Sequence, residues 1–123
     1  LLKSNGKPVI YHCSAGKDRT GIASYIIQRL FNNSMDEIYK NYLLSNQLLT
    51  TMAATAEQTT SSNQNDSLVT NVMLDTLAKV KKSYLVSAIN EINNRYSSLE
   101  NYICRELKFT LKDLEKIKNL YSI

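Results

Sequence analysis

The sequence predicts an α/β domain to which this chain contributes one strand, one tight loop and a run of C-terminal helices. Three observations carry that reading. Residues 8–12, "PVIYH", are a short run of β-forming apolar residues. Residues 13–19, "CSAGKDR", are small and charged, with none of the apolar periodicity around them. From Thr20 onward most of the text repeats its apolar residues at helical spacing.

Gly6 and Pro8 punctuate the start of the strand, and a buried strand ending at Cys13 is expected. The next segment, "TGIASYIIQRLF", places Ile22, Tyr25, Ile26 and Leu30 on one helical face. The loop therefore joins a strand to a helix. Ser34 and Glu37 have capping-box spacing, and Ile38, Tyr42, Leu49 and Met52 follow at helical intervals. Residues 57–67, "EQTTSSNQNDS", read as a polar loop, one candidate for a lid over the loop's mouth. Residues 68–80 read as another helix. In the last third, Leu85, Ala88, Ile89, Ile92 and Tyr96 make one face. Ser97 and Glu100 suggest a second capping box, with Leu99, Tyr102, Ile103 and Leu107 as the next face. Thr110 caps a final helix bearing Leu111, Leu114, Ile117 and Tyr121. One strand and about five or six helices result. A lone strand cannot satisfy its own ladder, so its partners are expected upstream. Residues 1–123 are accordingly expected to be the C-terminal part of a single domain.

The chain has 123 residues, enough for one modest core. A formal charge of +4 is spread over scattered lysines, densest at Lys79, Lys81 and Lys82. No aromatic residues interleave a basic stripe, so no nucleic-acid partner is expected; an anionic substrate is compatible. No run is apolar and long enough for a transmembrane segment, and no signal-peptide h-region is visible. Cys13 and Cys104 are the two cysteines and His12 the one histidine. That is too few for a disulfide framework or an ordinary zinc site, so no metal or cofactor is expected. Reduced thiols favour a cytoplasmic setting, with secretion the alternative. Cys104 reads as a small buried hydrophobe.

The loop reads as an anion cradle. Ser14, Ala15 and Gly16 are small enough for backbone N–H groups to turn inward. The following helix points its positive end at the same place, and Arg19 can give a phosphate two parallel hydrogen bonds. The same field lowers the pKa of Cys13, making it a thiolate placed for in-line attack. Thr20 can donate its hydroxyl to the sulfur and improve it as a leaving group when water hydrolyses the intermediate. His12 is expected to hold the loop by hydrogen bonds. A nucleotide P-loop fits poorly, because Asp18 stands where Ser or Thr should follow Lys17.

"HCSAGKDRTG" resembles the active-site signature of the protein tyrosine phosphatase superfamily, in its lipid-phosphatase-like bacterial branch. Residues 42–47, "YLLSNQ", and the helices of residues 84–121 are also similar to family segments, with the family's Tyr-Gly-Ser turn written here as Tyr96-Ser97-Ser98. The likeness is weakest over residues 51–82. It implies a central, mainly parallel sheet with flanking helices, Cys13 as nucleophile and Arg19 as phosphate clamp. The substrates it implies are phosphotyrosine, then phosphoserine, phosphothreonine and phosphoinositides. Most of the superfamily takes its general acid from an upstream loop that this chain does not contain. Asp18, inside the loop beside a bound dianion, is one candidate for that role; orienting Arg19 or capping the helix is the other. Lys17 either reaches a further phosphate on an inositol ring or is a solvated cation. The rival to an enzyme is a non-catalytic phosphate-binding or interaction module.

Overall fold

The computed structural model describes residues 1–57 and 79–122, with the backbone alone at 48–57. Among the described residues the order is a 3₁₀ turn, Leu2–Ser4, then α1 (Asp18–Leu30), α2 (Met35–Glu57), α3 (Lys82–Tyr96), α4 (Leu99–Arg105) and α5 (Leu111–Tyr121).

The expected helical faces account for the core. Tyr25 of α1, Ile38 and Tyr42 of α2, Val80, and Leu85 and Ile92 of α3 form one buried cluster. Ile38 and Leu85 are 1% exposed, and burying side chains of this size contributes about 1.5–3 kcal/mol each. Ile103, Leu114 and Ile117 are buried on α4 and α5. Leu107 and Leu111 depart from their expected faces and are exposed, and Cys104 is half-buried.

Local signals set the helix ends. The N–H of Ser34 donates to Glu37 Oε2 at 2.8 Å and the N–H of Glu37 returns to Ser34 Oγ at 3.3 Å. These bonds to the ionised carboxylate hold Glu37 below its usual pKa. Thr110 and Asp113 make the same reciprocal box at the start of α5. The box expected at Ser97 and Glu100 is replaced by a single cap one residue later. Ser98 is the cap and accepts from the N–H of Asn101 at 3.1 Å. Ser97 ends α3 in the left-handed region, φ 65°, which is the conformation a glycine would take in such a turn. Helix α1 starts at Asp18, two residues ahead of expectation.

The strand expected over residues 8–12 does not form, and no strand is present among the described residues. Ile10 is 94% exposed and Val9 and Tyr11 are exposed as well. The β-forming composition is there, but a ladder needs a neighbour, and among the described residues none pairs with this segment. Of the helix expected over residues 68–80, Lys79 and Val80 are not helical and the rest lies outside the described residues. Glu57 closes α2, and the remainder of the expected polar loop and lid lies outside as well. The side chains of Leu49 and Met52 do so too.

Two contacts fix how the helices meet. Asn46 on α2 uses its amide as a strand would: Nδ2 donates to the carbonyl of Val80 at 3.0 Å, and Oδ1 accepts from the N–H of Val80 at 2.7 Å. Gly21 lies so close to Tyr42 that a Cβ there would sit 2.5 Å from Cε2 and 2.8 Å from Cδ2 of the buried ring. Helix α1 can approach α2 this closely only because position 21 has no side chain. Gly21→Ala is therefore expected to lower stability by about 1–3 kcal/mol. In a denaturant titration, Tyr42→Leu placed in the same chain should recover part of that loss. Strict additivity of the two changes would contradict the contact.

Candidate functional site

The site is built where α1 begins. Lys17 is its N-cap, and the first backbone bond, Gly21 N–H to the carbonyl of Lys17, measures 2.8 Å. The N–H groups of the first turn have no partner within the helix, and they open toward the preceding loop. Gly16 permits the reversal. Its φ is +66°, and nothing lies within 4 Å of where a Cβ would be. Backbone conformation rather than crowding is what asks for glycine there.

Cys13 is half-buried at the base of this loop, and its thiol is pulled from 9.0 down to about 6. The largest cause is the hydroxyl of Thr20, followed by the backbone N–H of Thr20. Burial opposes them, and the N–H groups of Gly16 and Ala15 add smaller pulls in the same direction. Thr20 Oγ1 is itself buried without a hydrogen-bond partner of standard geometry. Its pull on the sulfur is thus a loose polar contact that leaves the hydroxyl proton uncommitted to any other acceptor. Above pH 6 the sulfur is mainly a thiolate.

The charged residues divide into two groups. Arg19 is exposed and donates from Nη2 to Ser14 Oγ at 3.0 Å, so its guanidinium rests across the loop. Lys17 and Asp18 instead face each other, with Nζ 3.6 Å from Oδ2. The Lys17 side chain is only 11% exposed, whereas that of Asp18 is 55% exposed. The Asp18 carboxylate pairs with Lys17 rather than with Arg19, and Asp18 is the first helical residue rather than the cap; a carboxylate there complements the helix dipole. Lys17 lines a cleft of about 90 Å³ between α1 and α2, together with Gln28, Asn41 and Ser45. His12 is exposed, and its Nδ1 is 3.3 Å from the carbonyl of Cys13.

The geometry thus brings Cys13, Ser14, Ala15, Gly16, Arg19 and Thr20 together and places Lys17 with Asp18 on the flank. Sequence reasoning missed what Tyr42 does. Its helical spacing marked it as core, but spacing does not name the surface it faces. The phenol beneath α1 has its pKa raised, first by burial and then by the Asp18 carboxylate.

A thiol near 6 gives a defined pH profile. Alkylation of Cys13 by iodoacetamide should rise with pH through about 6 and level off above it, because the thiolate is the reacting form. Thr20→Val should move the midpoint upward. A profile unchanged by that substitution would contradict the assignment of the hydroxyl as the leading cause.

The sequence matches the model of the tyrosine phosphatase family over residues 1–122. It is 32% identical over 109 residues to a protein of Cupriavidus necator provisionally named a tyrosine-protein phosphatase, covering 89% of this chain and 38% of that protein. It is 30% identical over 109 residues to a triple specificity protein phosphatase of Mycobacterium tuberculosis, covering 83% of this chain and 40% of that protein. The chain thus spans about two fifths of the length of these relatives.

Proposed function

This chain belongs to the tyrosine phosphatase family, and we propose on that basis that it carries the phosphate loop of a cysteine-dependent phosphomonoester hydrolase. The observation that carries the proposal is the Cys13 thiol at about 6, set against the start of α1 with Arg19 across the loop. Inward-facing N–H groups bind three oxygens of the phosphoryl group, and Arg19 leaves Ser14 to clamp two of them. The Cys13 thiolate attacks phosphorus in line, the bond to the leaving oxygen breaks, and that oxygen takes a proton. A cysteinyl-phosphate results. Water then attacks it, and the Thr20 hydroxyl stabilises the sulfur as it departs.

Within this chain the proposed proton donor is Asp18 in its protonated form, since its exposed carboxyl group adjoins the loop. His12 stays outside the proton transfers and supports the carbonyl of Cys13. The chemistry needs neither metal nor cofactor, because the thiolate supplies the nucleophile and Arg19 with the helix start supplies the positive charge. Phosphotyrosine is the first substrate, by analogy with the names of the relatives. Phosphoserine, phosphothreonine and phosphoinositides follow, with Lys17 available to a second phosphate. In the whole protein, residues 8–12 pair as one strand of a mainly parallel sheet; their exposed apolar side chains support this.

Phosphate release from p-nitrophenyl phosphate, measured on the full-length protein with chelator present, tests the mechanism. Cys13→Ser is expected to reduce it by on the order of a thousandfold or more. Release that persists in that variant would reject the cysteine route. Asp18→Asn should slow turnover of alkyl phosphates by about a hundredfold and of p-nitrophenyl phosphate much less, because the good leaving group needs no proton. Equal slowing with both substrates, or none with either, would take the acid role away from Asp18.

A further inference from the structure

We propose that Tyr11 and Ser24 form a brace that holds the phosphate loop closed on Cys13, which makes both of them positioning residues for the reaction. Ser24 lies one helical turn after Thr20, and its Oγ donates to the carbonyl of Thr20 at 2.8 Å. A hydroxyl has one proton to give, so that bond commits it. The contact between Ser24 Oγ and Tyr11 Oη, also 2.8 Å, is therefore donated by Tyr11. Two hydrogen bonds in series thus run from the residue two places before Cys13 to the carbonyl of Thr20.

This connection matters because of where its ends lie. Thr20 supplies the two largest pulls on the sulfur, from its hydroxyl and its N–H. Tyr11 lies on the segment that delivers Cys13. Strand pairing of residues 8–12 would hold that segment to a sheet, whereas the Tyr11–Ser24 contact ties its end to α1. Any drift of residues 11–13 away from α1 lengthens the distance from the sulfur to Thr20, and the brace opposes that drift. A serine inside a helix that bonds back to the carbonyl four residues earlier slightly weakens the helix. Ser24 makes that bond and accepts from Tyr11 with the same oxygen. Tyr11 is 42% exposed, so its ring adds little packing and its hydroxyl is the part fixed in place.

The inference rests on the proposed function only for its consequence in turnover. The sulfur itself can be read without any reaction at phosphorus. The experiment is the pH dependence of iodoacetamide alkylation in the full-length protein, followed at Cys13 by peptide mass, with melting temperature measured alongside. Tyr11→Phe and Ser24→Ala should each raise the midpoint by about half a pH unit. Ser24→Thr, which keeps the hydroxyl, should retain the wild-type midpoint. The double variant should move no further than the larger single change, since either one breaks the series. Wild-type midpoints in both single variants would overturn the brace, as would a fall in melting temperature with no movement of the midpoint. A raised midpoint in a protein without phosphatase activity would support the brace while rejecting the enzyme.

Discussion

Helix α1 begins within a few residues of a thiol, and its unpaired N–H groups together with the Thr20 hydroxyl draw that sulfur toward its charged form. The rest of the chain is organised to keep α1 in that place. From behind, the Tyr42 ring lies against the bare Cα of Gly21. On the inner face, Tyr25 enters the cluster formed by Ile38, Val80, Leu85 and Ile92. In front, Tyr11 reaches across to Ser24. These contacts end on Gly21, Ser24 and Tyr25, all in the N-terminal part of one helix. A sulfur drawn toward its charged form by groups fixed to one helix has this requirement, because partial charges held there cannot follow a sulfur that moves.

The arrangement also separates two kinds of positive charge. Arg19 is held on Ser14, a weak neutral partner that a phosphate easily displaces. Lys17 is held on Asp18, a full opposite charge, and most of its side chain is covered. The first contact is neutral and exposed, so it opens at little cost. The second keeps a cation and a carboxylate together beside the cleft between α1 and α2.

Much of this was legible in the sequence where the physics is local. The spacing of Cys13, Arg19 and Thr20, with Gly16 between them, located the loop that leads into α1, since its geometry depends on neighbours along the chain. Ser34 with Glu37 and Thr110 as caps were readable for the same reason. Ser97 was misjudged by one position, because two adjacent serines offered the same cap and the left-handed backbone at Ser97 leaves no trace in its side chain. Residues 8–12 carry the composition of a strand, yet a strand is a relation between segments, and composition does not supply the partner. Tyr42 against Gly21 and Tyr11 with Ser24 were unreadable because each joins residues that meet only in the fold.

The most direct test of the account is to trap the covalent intermediate. Full-length protein would be mixed with a phosphotyrosyl peptide, quenched in acid, digested and examined by mass spectrometry. The account predicts one added phosphoryl group, on the peptide containing Cys13, lost on incubation with water and absent in Cys13→Ser. A phosphoryl group found on His12, or full turnover with no phosphoenzyme at any time point, would contradict it.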